Sequence, residues 1–246
     1  MTALIAQLAP VLGQVEIHNR TGPNAPCQAQ NKAFCFDWAV DNFDRYTTPL
    51  LNHVLIVLVC VAIGFAAAFG MALISHGRRW LIPTFTGTTG VLYTIPSLAF
   101  IFLLLPITGL GTTTAIIVLS VYTLQIIYRN IVAGLANVPP ESKDAGRGMG
   151  MTDRQLLWRV ELPLALPEII AGLRIATVST VAIASLMVFA NVNTLGEPLY
   201  QQISFKTNVV IAGGLMILMA IAFDALLLLA QRLLAPWRRP SMEALA

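Results

Sequence analysis

Polar residues that could do chemistry are concentrated in one internal stretch of this chain, residues 144–163, which reads DAGRGMGMTDRQLLWRVELP. Its glycines do not form the G-x-x-x-x-G-K-S/T pattern, in which a lysine and backbone amides hold phosphates, so the stretch does not predict nucleotide hydrolysis. The histidines His18, His53 and His76 are dispersed, and no metal-ligand spacing, Ser-His-Asp set or pair of carboxylates accompanies them. The stretch therefore indicates a docking element rather than a catalytic or metal site.

Locally, the stretch predicts two short helices joined by a glycine hinge. The two prolines at positions 139 and 140 can begin the first helix, and Gly150 can end it in a left-handed conformation. Thr152 and Gln155 have the spacing of a capping box, so a second helix starts at once, and Pro163 is expected to end it. Helices this short are marginal in water, so we expect the unit to dock on a partner.

The rest of the chain is built to sit in a membrane. Hydrophobic residues make up 57% of the sequence and charged residues 11%, with a mean hydropathy of +0.74. Five apolar runs are long enough to cross a bilayer as helices, which satisfy their own backbone hydrogen bonds in lipid, and they are too long and too uniformly apolar for barrel strands. They cover about residues 54–74, 84–105, 112–131, 167–189 and 209–229. The predicted fold is all-α, with five transmembrane helices, the second of them kinked at Pro96.

Charge distribution predicts the orientation. Most Lys and Arg residues follow the first, third and fifth runs, and few lie on the opposite side. The positive-inside rule then places the N-terminus outside, the C-terminus in the cytoplasm and residues 144–163 in the cytoplasm. The first residues lack a positively charged region, so a removed signal peptide is not expected.

The polar stretch resembles the EAA loop of permease subunits of ABC importers, whose pattern is Glu-Ala-Ala, three residues, Gly, nine residues, Ile, one residue and Leu-Pro. The corresponding positions here hold Asp144, Ala145, Gly146, Gly150, Val160, Leu162 and Pro163. Asp replaces Glu, Gly replaces the second Ala, and Val replaces Ile. We expect Gly146 to weaken the first helix by about 1 kcal/mol relative to Ala.

A longer match makes the resemblance more specific. TIPSLAFIFLLLPITGLG, YRNIVAGL and GMGMTDRQLLWRVELPLALPEIIAGLR look like the glycine betaine, carnitine and choline branch of these permeases. The resemblance implies the type I, MetI-like permease fold in the bacterial cell membrane, with an extracytoplasmic segment at 1–50, a transmembrane domain at 51–235, a coupling loop at 139–163 and a cytoplasmic tail at 236–246.

The same resemblance implies partners. They are a dimer of cytoplasmic ATPases, a second permease subunit and an extracytoplasmic substrate-binding protein, and no nucleic acid. ATP and Mg would be used by the ATPase, and this chain would bind no cofactor. Its expected cargo is a compatible solute such as glycine betaine, choline, carnitine or proline betaine.

Several residues could line or gate the pathway. Thr94, Pro96 and Ser97 surround the expected kink, where the two hydroxyls could bond freed backbone groups, and Asn191 and Asn193 follow the fourth run.

Asp224 is an ionisable residue inside the fifth run, where it must face protein or water, either as a pathway group or as a protonated or hydrogen-bonded carboxyl. Arg174, inside the fourth run, is expected to reach toward the cytoplasm or to pair with a carboxylate such as Glu168.

Cys27 and Cys35 would lie outside the membrane and are close to each other in sequence, so they are candidates for a disulfide, with two free thiols as the alternative.

An amino-acid permease, for instance for methionine, is the nearest alternative function. A membrane-embedded enzyme would need several polar residues at one depth, and a sensor would need a sizeable soluble domain; the sequence offers neither.

Overall fold

The computed structural model describes residues 25–78 and 80–236, and every regular element within them is helical. The helices are α1 (Ala25–Gln30), α2 (Phe36–Asp41), α3 (Asp44–His76), α4 (Leu81–Thr94), α5 (Ser97–Thr108), α6 (Thr112–Ala136), α7 (Pro140–Gly148), α8 (Asp153–Leu156), α9 (Leu162–Ala184), α10 (Gly196–Gln201) and α11 (Lys206–Leu234). A π-helical segment, Leu157–Glu161, joins α8 to α9, and a 3-10 segment, Ser185–Ala190, extends α9.

Four long helical stretches are apolar enough to cross a membrane: α3, α6, the continuous stretch Asp153–Ala190, and α11. They contain 33, 25, 38 and 29 residues. At a rise of about 1.5 Å per residue, each exceeds the roughly 30 Å of a hydrocarbon core. They correspond to the first, third, fourth and fifth predicted spans, so the all-α polytopic fold is confirmed.

The second predicted span consists of two helices, α4 and α5, which are bent by 93° relative to each other. The break lies at the predicted proline: Ile95, directly before Pro96, is extended, with φ −65° and ψ 124°. A residue before proline is pushed out of the helical region by the proline ring, which explains the position of the break. With 14 and 12 residues, neither helix is long enough to span alone, and only the bent pair qualifies as a fifth span.

Helix α6 is the centre of the bundle. It is the most buried of the long helices and packs against both α3 and α9, while α11 is the least buried. The helices approach closely at glycines: a Cβ on Gly64 would lie 2.8 Å from the Thr123 side chain, and one on Gly172 would lie 2.3 Å from Cβ of Asn130. Gly64 lies in the small-residue run IGFAAAFGMA (residues 63–72), where the absence of a side chain allows this close helix packing.

The segment before α3 packs on the N-terminal end of α11. The Asn31 amide group donates to the Ser204 carbonyl at 3.0 Å and accepts from the Lys206 backbone N–H at 2.9 Å. Trp38 is buried and meets Phe205 edge to face, with ring centroids 4.9 Å apart. Residues 1–24, 79 and 237–246, which include about half of the predicted N-terminal segment and nearly all of the predicted C-terminal tail, lie outside the described residues.

Candidate functional site

The polar stretch forms a helix, a tight turn and a second helix, as the sequence predicts. Helix α7 begins at Pro140 and ends at Gly148, with Glu141 in its first turn. Gly150 has φ +78°, a conformation that side-chain-bearing residues rarely adopt, and its N–H donates to the Arg147 carbonyl at 2.9 Å. We call residues 140–161 the coupling unit.

The predicted capping box at the start of the second helix is confirmed. The Gln155 backbone N–H donates to the Thr152 hydroxyl oxygen at 3.3 Å, and the Thr152 N–H donates to the Gln155 side-chain oxygen at 2.9 Å. Together these bonds fix the direction in which the chain leaves the turn.

The prediction that Pro163 ends the second helix is wrong. The chain continues through the π-helical segment into α9, so that helix and span form one stretch from Asp153 to Ala190. In the π-helical segment the Leu162 N–H donates to the carbonyl of Leu157, five residues earlier. This wider turn accommodates a proline ring that would meet a carbonyl in a regular α-helix. At about 57 Å, the stretch extends well beyond one side of the membrane.

Glycine at position 146 makes the coupling unit compact. Gly146 is buried, and a Cβ placed on it would lie 2.6 Å from a Leu156 methyl and 3.7 Å from a Val160 methyl. The expectation that this residue only weakens α7 is therefore incomplete, because its missing side chain lets α7 rest on the second helix.

The seven residues of the EAA-like pattern fall into two groups. Asp144, Ala145 and Gly150 are exposed. The others are buried or partly buried within the coupling unit and at its junction with α9: Gly146, Val160, Leu162 and Pro163. The pattern thus contains both an outward face and the internal packing that supports it.

Two exposed apolar residues on the coupling unit were not identified from the sequence. Met149, at the turn, is 70% exposed, and Trp158 is 50% exposed. Trp158 borders a cleft of about 480 Å³ whose other walls are Thr152, Arg154, Gln155 and Arg159. Large apolar side chains in an otherwise polar stretch were the available signal.

A buried carboxylate connects the coupling unit to the bundle, and sequence reasoning missed it. Glu161 is 4% exposed, and its Oε2 lies 2.5 Å from Nε2 of His76 at the end of α3. Its Oε1 lies 3.8 Å from Nζ of Lys143 in α7, and the same ammonium donates to the Leu135 carbonyl of α6 at 3.2 Å. The Glu161 side chain therefore brings together α3, α7 and the π-helical segment, while Lys143 adds α6.

At the predicted kink, the Thr94 hydroxyl bonds a freed backbone carbonyl as expected, and a residue of α6 bonds another. The Tyr122 hydroxyl of α6 donates to the Ile95 carbonyl, and the Thr94 hydroxyl donates to the Val91 carbonyl at 2.7 Å. The Pro96 carbonyl accepts the Phe100 N–H at 2.9 Å, within the first turn of α5. No hydrogen bond of the Ser97 hydroxyl is recorded in the described chain. Local bonds and Tyr122 of α6, which is distant in sequence, together hold the break.

Asn191 and Asn193 lie beside a cleft near the N-terminal end of α3. Asn191 has a left-handed conformation, φ 59° and ψ 41°, and ends the 3-10 segment. The cleft has a volume of about 520 Å³ and is also lined by Asn52, Leu55, Ile56, Val59, Gly111, Thr112, Ile116 and Val192. The structure brings the two predicted asparagines together with Asn52, but not with the residues around Pro96.

His53 fixes the loop next to this cleft. The ring is fully buried inside α3, its Nδ1 accepts the Leu195 backbone N–H at 3.3 Å, and its Nε2 lies 3.1 Å from the Val181 carbonyl. Because Nδ1 accepts, the proton is on Nε2 and is donated to that carbonyl. His53 thus ties the loop after the 3-10 segment to both α3 and α9.

Asp224 and Arg174 pair with each other, so the expectation that Arg174 pairs with a carboxylate is confirmed, with Asp224 as the partner in place of the suggested Glu168, and Asp224 is a hydrogen-bonded carboxyl between helices. Nε and Nη2 of Arg174 donate to Oδ1 and Oδ2 of Asp224, both at 2.8 Å. This two-point contact joins α9 to α11. The two side chains are 27% and 38% exposed.

Cys27 and Cys35 are joined as a disulfide, with Cα atoms 6.2 Å apart. The bond links α1 to the start of α2. Within the described residues Cys60 is a free and buried thiol.

Comparison with known proteins gives a consistent result. The family described as "Binding-protein-dependent transport system inner membrane component" matches residues 54–240. The osmoprotectant import permease protein OsmW of Salmonella typhimurium is 34% identical over 206 residues, which cover 81% of this chain and 96% of that protein. The choline transport system permease protein OpuBB of Bacillus subtilis is 31% identical over 187 residues, or 75% and 86% of the two chains.

Among solved structures, an amino acid ABC transporter aligns with a TM-score of 0.69 over 80% of this chain and 98% of that chain. Its sequence identity to this chain is 18%, so the likeness concerns the fold alone.

Proposed function

Because the chain belongs to the family of binding-protein-dependent transport system inner membrane components, we propose that it imports an osmoprotectant that carries a quaternary ammonium group. The chain is the membrane-spanning permease subunit of an ATP-driven importer and is not itself an ATPase. The proposed cargo is glycine betaine, carnitine, choline or proline betaine. Two relatives support this class, because one is an osmoprotectant import permease and the other a choline transport system permease.

The observation that carries the proposed mechanism is the combination of a rigid interior and an exposed tip in the coupling unit. Gly146 lets α7 rest on the second helix, while Met149 projects from the turn. A protruding apolar side chain on a compact support suits insertion into a groove on another protein. We propose that this groove belongs to a cytoplasmic ATPase dimer, which binds ATP and Mg.

Motion can pass from the coupling unit into the bundle by two physical connections. The second helix of the unit is continuous with α9, so a displacement at Thr152 moves the span as one body. Glu161 contacts His76 of α3, and Lys143 beside it donates to the Leu135 carbonyl of α6, so the same displacement reaches both of these helices. Rocking of α3 and α9 around α6 is the proposed alternation between outward-open and inward-open states.

The remaining partners are part of the proposal. Two ATPases acting together imply a second permease subunit, either a copy of this chain or a related one. An extracytoplasmic binding protein would deliver the solute to the side that carries α1 and α2, with the N-terminus outside and the C-terminus in the cytoplasm. Attachment of a membrane-impermeant label to the region around Asp153 from outside the cell would contradict this orientation.

Reconstitution tests the proposal directly. The chain, its ATPase and its binding protein are placed in liposomes, and uptake of radiolabelled glycine betaine, carnitine, choline and proline betaine, and separately of methionine, is measured with and without ATP. ATP-dependent uptake of a quaternary ammonium solute is expected. Uptake of an amino acid such as methionine, with none of these solutes transported, would replace the osmoprotectant by the amino-acid alternative.

A further inference from the structure

Arg174 and Asp224 form an ion pair inside two membrane-spanning helices and nevertheless remain partly exposed. Asp224 lies about 15 Å, at 1.5 Å per residue, before the end of α11 at Leu234. The side chains are 27% and 38% exposed. Hydrocarbon solvates charged groups poorly, so we expect a partly exposed ion pair at this depth to contact water or protein rather than lipid.

The pair uses only part of its hydrogen-bonding capacity. A guanidinium has five N–H donors, and Arg174 uses one on Nε and one on Nη2 to bind Asp224. No further acceptor for this side chain is recorded in residues 25–78 and 80–236. The N–H groups that remain on Nη1 and Nη2 can therefore bind a second carboxylate while the pair stays intact.

The surroundings of the pair form a cleft of about 490 Å³. Its other walls are Ala171, Ile175, Val178 and Ser179. These side chains are small or apolar, apart from one hydroxyl, and they suit the methyl groups of a quaternary ammonium. The cleft thus places a carboxylate-binding group, an anionic group and apolar walls side by side.

We propose that this cleft is a transient binding site on the transport path for a small zwitterion that carries a quaternary ammonium and a carboxylate. The ligand carboxylate binds the free N–H groups of Arg174, and its ammonium lies against the open edge of the Asp224 carboxylate. This inference rests on the proposed function for the class of solute. It adds a selectivity: a betaine uses both charges of the pair, whereas choline has no group for Arg174 and meets its positive charge.

Water access to the cleft is tested with cysteines in the reconstituted permease–ATPase complex, in a chain whose buried Cys60 is replaced by Ala. Ser179→Cys reports on the cleft. Leu226→Cys is the matched control, because Leu226 is 62% exposed but lies about 200° around α11 from Asp224. A membrane-impermeant cationic thiosulfonate should modify Ser179→Cys at least about ten times faster, since lipid excludes a charged reagent. If the two cysteines are modified at equal rates in both the nucleotide-free and the ATP-bound state, the proposal is overturned.

Ligand binding is tested by protection of the same cysteine without the binding protein. Glycine betaine is expected to slow the labelling of Ser179→Cys, and Arg174→Gln should weaken this protection by about ten-fold or more, since charge-assisted hydrogen bonds are lost. Protection by choline should persist or increase in Arg174→Gln. No protection by glycine betaine, or an equal loss for both ligands, would overturn the site.

A second variant covers the case in which Arg174→Gln fails to fold. Arg174→Gln combined with Asp224→Asn leaves no unpaired charge, and both ligands should lose protection in it. Persistent protection by glycine betaine would contradict the site.

The outcomes also separate this site from the proposed function. A parent transporter that imports none of the four solutes refutes the proposed function, whatever the labelling shows. A parent that imports glycine betaine while Ser179→Cys stays unprotected refutes only the site.

Discussion

The carboxylate of Glu161 lies 2.5 Å from Nε2 of His76, and this contact joins the coupling unit to the end of the first span. The two residues are separated by 85 positions in sequence. Glu161 occupies the unspecified position between Val160 and Leu162 in the EAA-like pattern, so the pattern gives it no role. In the folded chain it is the most buried acidic group of the coupling unit.

Removal of this carboxylate should loosen the link between the coupling unit and the bundle. We expect Glu161→Ala to lower the free energy of unfolding by about 1–3 kcal/mol, because His76 and Lys143 lose their shared buried partner. We also expect the ratio of substrate-stimulated to basal ATP hydrolysis to fall. Thermal unfolding and ATPase assays on the reconstituted complex measure both quantities.

The control for that change is Asp37→Asn, which alters an exposed carboxylate in α2 and should leave both quantities unchanged. A Glu161→Ala protein with the stability and the stimulation ratio of the parent would show that the buried contact transmits nothing.

Gly150→Val should disrupt the turn of the coupling unit. The φ of +78° at this position disfavours a branched side chain, at a cost of about 1–3 kcal/mol. Because the turn presents Met149, we expect less ATPase to co-purify and uptake to fall. Gly148→Ala is the matched control, since Gly148 is helical with open space around it and should keep full co-purification. If both variants retain the ATPase equally, the turn is not the docking element.

Met149→Ser tests the exposed tip without touching the interior. Met149 is 70% exposed, so the stability of the permease should not change. We expect affinity for the ATPase to fall by about ten-fold, which corresponds to about 1.4 kcal/mol of lost apolar contact. Binding is measured between the solubilised permease and the purified ATPase. Ile203→Ser, at a residue 60% exposed near the opposite end of the bundle, should have no effect. Equal affinities of the two variants for the ATPase would show that Met149 does not contribute to docking.

Cys27 and Cys35 provide a test of the N-terminal segment. Reduction should raise the intact mass by that of two hydrogen atoms, and the Cys27→Ser/Cys35→Ser variant should show no such increase. Loss of the link is expected to destabilise the segment by about 2–3 kcal/mol on the loop-entropy model, and therefore to speed proteolysis near Asn31. Cys60→Ala should behave as the parent in both assays. An unchanged mass of the parent protein after reduction would show that Cys27 and Cys35 are not bonded.

Features set by neighbouring residues were predictable. The apolar runs, the break at Pro96, the turn at Gly150 and the capping box at Thr152 each depend on a hydropathy window or on contacts within a few positions. The one local error, at Pro163, arose because a π-helical segment allows a helix to pass a proline; nothing in the nearby residue types distinguishes this from a helix end.

The sequence by itself determined that this is an all-helical membrane protein with a helix–turn–helix element, because lipid and short-range backbone chemistry leave few alternatives. Only the tertiary structure decided which charges meet. Arg174 pairs with Asp224, 50 positions away, although Glu168 is closer in sequence, and Glu161 pairs with His76. Such pairs depend on which helix faces come together in the bundle, because a charge held where water is scarce is stabilised by an opposite charge from a distant part of the chain.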